Sequence, residues 1–381
     1  MRSTFEPLGK YVRLVDERNT DMVTESVLGI NIDKYFMPSV ANVIGTDLST
    51  YKLLRKGRFA CNPMHVGRDG RLPVARYEKD TPAIVSPAYF MFEVIDEREI
   101  EPEYLMLCFR RPDFDRMCWF RTDASVRGGI TWEDVCALTI PVPTIGEQRK
   151  IVHDYRVITN RIELLQGIIK KTNAQMRAYV KDWVKEHAEE EGKLHDYCRM
   201  EYGFTETAQS DAVGPKFLRI TDITGTYIDW DTVPYCPISD ADLKKYKLRK
   251  GDVVIARTGA TSGAAKMIGG DAPDVVFASF LVRAVAIESE WQLFLGLAIT
   301  DDDFYKYVQA NAEVAGSAQP QANPPLLGQY IISAPSKDDL PAFNDTINVF
   351  LNYMDKCASE ISKLNSLQTL ILSGFATSKG A

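Results

Sequence analysis

Ten residues separated alternately by four and three positions (Ile151, Tyr155, Ile158, Ile162, Leu165, Ile169, Thr172, Met176, Tyr179 and Trp183) recur 192 residues later. The second set is Phe343, Ile347, Phe350, Met354, Cys357, Ile361, Leu364, Gln368, Ile371 and Phe375. Such spacing draws one stripe along an α-helix, the seam of a coiled coil. A seam needs a partner helix, and two copies in one chain can cover each other. The repeat therefore predicts an intramolecular coiled coil that carries two related domains.

The chain has 381 residues, about twice the repeat, so a duplication accounts for nearly all of it. A period of this length is too long for a solenoid. With 45% apolar and 25% charged residues the composition is that of a globular protein able to build a core in each half. Seven scattered cysteines without a C-x-x-C pair fit a reducing cytosol and argue against a zinc site. The N-terminal MRSTFEPLGKYV has no apolar run of signal-peptide length, and no stretch of about 18 apolar residues occurs anywhere. A cytoplasmic protein with no membrane partner is expected.

Each half reads in the same order: strands, a helical stretch, a polar loop, a short proline-stopped strand and a long helix. The helical stretches are EPEYLMLCFRRPDFDRMCWF and EWQLFLGLAITDDDFYKYVQA; the last strands are ALTIPVP and QYIISAP. Leu28–Asn31 aligns with Leu218–Thr221, and Lys56-Gly57 with Lys250-Gly251, with small loop insertions between. A Lys-Gly ahead of an apolar alternation reads as turn chemistry leading into a strand, so both glycines are assigned structural roles. The fold class is α+β, two globular domains of about 140 residues alternating with helices of about 36 residues, or roughly 54 Å each.

A net charge of −7 argues against a protein that coats nucleic acid through global attraction. Local charge differs. Lys52–Lys79 holds eight Lys or Arg against Asp69 and Glu78, and Lys244–Lys266 holds seven against Asp252, a net of +6 in each. The polar loop Asn62–Arg71 and its counterpart Arg257–Lys266 follow the Lys-Gly turn in both halves, which makes them candidates for DNA contact as well as solvated hairpins. The second fails as a P-loop because GATSGAAKM does not match G-x-x-x-x-G-K-[ST]. Asn323-Pro324-Pro325 is followed by Leu326 where an adenine methyltransferase carries an aromatic residue, and no glycine-rich cofactor motif accompanies it. The four histidines, His65, His153, His187 and His195, lack metal-ligand spacing. No catalytic residue, metal or cofactor of this chain's own is expected.

LTIPVPTIGEQRKIV, a strand ending in Pro-x-Pro followed by Glu147-Gln148 at a helix start, resembles the junction between a target-recognition domain and a spacer helix in the specificity (S) subunits of type I restriction-modification systems. FLRITDI with LRKGDVVIARTGATSG resembles the interior of their recognition domains, and VRGGITWEDVCALTIPVP the end of one. The resemblance implies target-recognition domains at 1–144 and 191–337, with spacer helices at 145–190 and 338–376 packed antiparallel. It implies a non-catalytic subunit that reads a bipartite site in double-stranded DNA. Partners would be two modification (methyltransferase) subunits and restriction (nuclease-translocase) subunits, which would use S-adenosylmethionine, ATP and Mg2+. The second junction, SAPSKDDLPAFN, lacks the Glu-Gln pair, which argues against a symmetrical role for those two residues.

Two lobes on a rigid spacer suit DNA if their separation matches a multiple of the helical repeat, about 34 Å. Arg pairs bidentately with guanine, and Asn or Gln with adenine. On this basis DNA contact is assigned to Lys52, Arg55, Arg58, Asn62, Arg68, Arg71, Arg76 and Arg127 in the first half. In the second half it is assigned to Lys247, Arg249, Arg257, Thr258, Ser262, Gln319, Gln321 and Asn323. Helix pairing is assigned to Ile151, Tyr155, Ile158, Ile162, Leu165, Ile169, Ile347, Phe350, Met354, Ile361 and Leu364. A subunit of a related phage-exclusion methylation system would share these features, and a helical scaffold that only bridges proteins would share the helices without the basic lobes.

Overall fold

The repeated stripe forms two long α-helices, Ile145–His187 and Leu340–Gly374, in a computed structural model that describes residues 4–40, 44–64, 66–122, 128–225, 227–270, 272–312 and 321–374. The chain divides into two compact units, Met1–Thr159 with Ser366–Ala381, and Asn160–Asn365. Each long helix thus contributes to both units.

Within the second unit the two helices run antiparallel. Trp183 packs on Phe343 at 4.4 Å between ring centroids, Tyr179 lies 6.3 Å from Phe350, and Arg161 bonds Glu360 at 2.7 Å, so partners advance on one helix as they retreat on the other. In the first unit Gln368 Nε2 donates to Thr159 Oγ1 at 2.7 Å. Every residue assigned to the pairing seam is buried or half-buried. Its ends serve the cores of the units as well: Ile151 joins the first unit's core, and Met176 and Trp183 join the second's.

The two units share a strand frame. A four-stranded sheet in the first unit orders its strands Val12–Leu14, Phe90–Val94, Phe59–Cys61 and Val74–Arg76; in the second the order is Cys198–Tyr202, Leu281–Ala286, Val253–Ala256 and Ala265–Met267. Register matches as well as order. Phe59 pairs with Phe92 and Cys61 with Phe90, as Val253 pairs with Ala284 and Ile255 with Val282. Beside the sheet, Ile84 lies antiparallel to Leu53 and parallel to Val27, while Val276 lies antiparallel to Lys247 and parallel to Phe217. The Lys-Gly turns coincide in conformation, with φ of 88° at Gly57 and 89° at Gly251. A side chain is disfavoured at such φ, which explains the repeated glycine.

The predicted helical stretch of each half is two helices, Pro102–Arg110 and Pro112–Phe120 in the first and Gln292–Ile299 and Asp302–Ala312 in the second. Pro112 lacks the N–H that would continue the helix. The predicted spacer helix to residue 190 stops at His187. Ala188–Lys193, sequence AEEEGK, is instead a strand antiparallel to Ile331–Pro335. Glutamate has low strand propensity, and the pairing overrides it.

Cores fill both units. Phe59 and Phe92 stack at 5.2 Å, with Phe109 edge-on to both; Trp183, Phe294 and Phe343 form the corresponding aromatic centre of the second unit. Gln148, in the first turn of the central helix, is fully buried, and so is Leu340, which lies 192 residues later at the start of the C-terminal helix.

Candidate nucleic-acid interface

The two polar segments singled out in each half come together in the same way. In the first unit the connection from Phe59–Cys61 to Val74–Arg76 meets the segment before the helix Trp132–Ala137: Ile130 N donates to Pro63 O at 3.2 Å, and Gly67 N to Gly128 O at 2.8 Å. A Cβ on Gly67 would lie 2.8 Å from Gly128 Cα, so this approach requires glycine. In the second unit Ala322 N donates to Arg257 O at 2.8 Å, and Thr258 bridges Gln321. Residues 130 and 322 are one repeat apart.

Seven of the eight cations of the basic segment Lys52–Lys79 are held in ion pairs, and the carboxylates come largely from outside that segment. Glu17 binds Arg55 at 2.7 Å and Arg58 at 2.6 Å, Asp33 binds Arg71 at 3.0 Å, and Asp80 binds Lys56 at 2.7 Å. The hydrogen bonds of Arg55 and Arg58, opposed by partial burial, hold the Glu17 carboxyl below the usual carboxylate range. The local +6 is therefore offset in space. Arg55, Arg68 and Arg71 are about half exposed or more at the side chain, and exposed pairs of this kind are weak, so their cations can exchange a carboxylate for a phosphate. Lys52, Arg58 and Arg76 are turned inward at 11%, 15% and 20% side-chain exposure. Lys52 Nζ donates to Tyr89 O at 2.6 Å, and burial lowers its pKa. Asn62 accepts from Met64 N at 3.1 Å, shaping its own turn.

In the second unit Arg249 is exposed beside the Lys-Gly turn, and Lys247 pairs with Asp274 at 2.5 Å. Arg257 stacks on Tyr202 at 4.8 Å and donates through its backbone N–H to Phe280 O at 3.0 Å. Tyr202 and Phe280 are 46% and 59% exposed. Half-buried Thr258 and exposed Gln321 adjoin Arg257, so a guanidinium stacked on one exposed ring sits next to two hydrogen-bonding side chains. Tyr202 and Phe280 had no signal in the sequence, because Phe280 sits inside the apolar run VVFASFLVRAV and reads as core.

Other assignments land on structural positions. Ser262 is fully buried, its carbonyl accepting from Gln309 Nε2 and its hydroxyl without a hydrogen-bond partner among the described residues. Asn323 caps the helix Pro324–Gly328, accepting from Leu326 N at 2.9 Å. Arg127, Gln319 and His65 lie outside the described residues.

Six of the seven cysteines are buried, and burial pushes the Cys118 and Cys198 thiols up to about 12, which disfavours thiolate. Among the described residues no group of three or more His, Cys, Asp or Glu is placed to hold a metal ion, and no helix is long and apolar enough to cross a membrane.

No protein-family model matches the sequence, and no curated protein matches it. Solved structures do. The crystal structure of a type I restriction-modification system S subunit from M. genitalium aligns over 98% of this chain and 95% of its own, with a TM-score of 0.52 and 12% identity. A structure described as the basis of complex assembly and conformational transition of the type I R-M system aligns over 98% and 97%, with a TM-score of 0.46 and 15% identity. The HsdS subunit from Thermoanaerobacter tengcongensis aligns over 98% and 96%, with a TM-score of 0.42 and 16% identity. In its fold, this chain is similar to the S subunit of a type I restriction-modification system.

Proposed function

We propose that the chain is the DNA-sequence-recognition subunit of a type I restriction-modification complex. Residues 1–144 and 191–337 each read half of a bipartite duplex target, and the helices Ile145–His187 and Leu340–Gly374 space the two. The observation that carries this reading is a frame that repeats to the register of its strands while the loops mounted on it do not repeat. Pro63 and Arg257 occupy equivalent places, each carbonyl held by the residue at 130 or 322, yet one side chain is a proline and the other a guanidinium stacked on tyrosine. Two readers built on one frame with different tips suit an asymmetric, split target.

In this reading the exposed Arg55, Arg68, Arg71 and Arg249 meet phosphates, and Arg257, Thr258 and Gln321 meet base edges. Lys52 and Ser262, which face inward, maintain the loops. The chain supplies no catalytic group; two modification subunits bring S-adenosylmethionine, and restriction subunits bring ATP and Mg2+. The outward Val157, Leu164, Val349 and Leu370 of the long helices offer apolar surface to those partners.

The deciding experiment is the methylation pattern of host DNA with and without this chain. A split, adenine-containing motif that disappears on deletion is expected; an unchanged methylome, or a complex that binds all duplexes equally, would refute the proposal. Arg257→Ala is expected to relax discrimination at the second half-site by about 10- to 100-fold, the 1–3 kcal/mol of a good base contact. The first half-site preference should be unchanged. Arg249→Ala is expected to weaken binding across all sequences and to lower the slope of log affinity against log salt by about one. Competition binding against half-site variants at several salt concentrations reads both.

A further inference from the structure

Two consecutive aromatic side chains stand in solvent in the first unit. Trp119 is 54% exposed and Phe120 84%, both at the C-terminal end of the helix Pro112–Phe120. Phe114 and Cys118 bury the inner face of this helix, as Phe304 and Val308 bury that of Asp302–Ala312 in the second unit. The match sets Trp119 against Gln309 and Phe120 against Ala310. It is confirmed by their bonds: Trp119 Nε1 donates to Gly67 O at 3.1 Å, and Gln309 Nε2 donates to Ser262 O. Each unit thus ties the polar loop that follows its Lys-Gly turn to this helix by one side-chain N–H. In the first unit the tie is an indole, half open to solvent, and the next residue is an exposed phenyl ring. Ala310 offers nothing comparable.

The charge around these rings is positive. Arg116 and Arg121 are exposed and are in no ion pair among the described residues, and Arg68, next to Gly67 in the loop, is exposed as well. Phe120 lines one open cleft together with Arg116 and Arg121. Asp113 also lines it but is engaged by Arg111, and Asp115 of the same helix is engaged by Lys34. Open guanidiniums beside exposed rings suit a partner that offers phosphates next to flat apolar faces, which is what nucleic acid does. A phenyl ring makes no hydrogen bond with a base edge or a phosphate. A duplex hides such a ring where a base step opens to admit it.

We propose that Phe120 is a wedge inserted at one base step of the first half-site, with Trp119 packed beside it and Arg116 and Arg121 on the neighbouring phosphates. The proposal rests on the chain reading DNA, and it adds an apolar contact that only the first lobe makes. Because Trp119 ties the helix end to Gly67, the wedge and the polar loop take up one fixed spacing on the duplex. Pyrimidine–purine steps unstack most easily, so the wedge favours such a step without touching a base edge.

Equilibrium binding of the full chain, together with the proposed modification subunits, to duplexes bearing the chain-dependent methylation motif tests this. The probe is 2-aminopurine, placed in turn through the first half-site outside the methylated adenine. Its fluorescence should rise on binding at one step. Phe120→Ala should abolish that rise and lower affinity by about 10- to 100-fold, leaving the slope of log affinity against log salt and the second half-site preference unchanged. Arg116→Ala and Arg121→Ala should each lower that slope by about one. Phe120 is too exposed for its truncation to unfold the unit. Unchanged affinity in Phe120→Ala, or no step whose fluorescence depends on Phe120, overturns the wedge alone. So does a Phe120→Ala variant that assembles less well with the modification subunits when DNA is absent, since the patch is then a protein contact. Equal binding of all duplexes by the unaltered complex overturns the DNA reading, and the wedge with it.

Discussion

Gln148→Leu is expected to destabilise the first unit by about 3–5 kcal/mol, although leucine is the natural residue at the equivalent buried position of the second junction. Gln148 is fully buried, and its amide closes three backbone contacts. Nε2 donates to the carbonyls of Glu99 and Pro143, each at 2.9 Å, and Oε1 accepts from Glu101 N at 2.9 Å. Leucine fills similar space but leaves two carbonyls and one N–H without these partners, and an unmet buried polar group costs about 1–3 kcal/mol. At Leu340 the surroundings are the apolar core of the second unit. Hydrogen exchange should show lost protection around 99–101 and the start of the central helix, with residues 253–256 unchanged. A loss below 1 kcal/mol would mean that the amide does not staple the helix to the unit. Glu147→Ala removes only the capping box with Thr144, whose N–H and hydroxyl donate to the Glu147 carboxylate at 3.1 and 2.9 Å, and should cost about 1 kcal/mol.

Asp115→Ala is expected to cost the first unit a similar 3–5 kcal/mol, because it strands a buried cation. Lys34 Nζ is 2.6 Å from Asp115 Oδ1 and also donates to Phe109 O at 2.6 Å; its side chain is 5% exposed. Burial already lowers the Lys34 pKa, with Asp115 opposing that shift. Removing Asp115 therefore lowers it further. Where the unfolded chain holds more protons than the folded one, stability rises with pH, so the deficit of Asp115→Ala should narrow between pH 7 and pH 10 as Lys34 becomes neutral in the fold. Denaturant unfolding at several pH values measures it, and a deficit independent of pH would place the cost in packing instead. Lys34→Met with Asp115→Ala should recover much of the loss, since an apolar pair replaces a buried ion pair at little cost.

The helical seam was the most legible part of the chain. Ile162, Leu165, Ile169, Ile347 and Ile361 are buried as their spacing requires, because helical periodicity is a local property that a sequence displays directly. The Lys-Gly turns were legible for the same reason: a positive φ at Gly57 and Gly251 leaves a residue-type signature. The strand Ala188–Lys193 was not, since three consecutive glutamates carry no strand signal and only the partner Ile331–Pro335 makes them one. Nor was the use of Asn323 as a helix cap, which depends on Leu326 N being within reach.

The candidate site divides along the same line. Its place in each half could be read from loops that recur after the same turn, but its charge could not. Summing a segment counts Lys52 to Lys79 as +6, whereas in space Asp16, Glu17, Asp33 and Asp80 stand against those cations from other parts of the chain. Tyr202 and Phe280 become surface residues only because the strand Cys198–Tyr202 ends beside the turn that leads into Leu281–Ala286. By itself the sequence determined the duplication, the two long helices and the positions where the copies diverge, since each is written in periodicity or in turn chemistry. Tertiary structure decided which cations remain open, which amide is buried and which rings face solvent. Burial and ion pairing depend on neighbours far apart in the chain, and no local pattern encodes them.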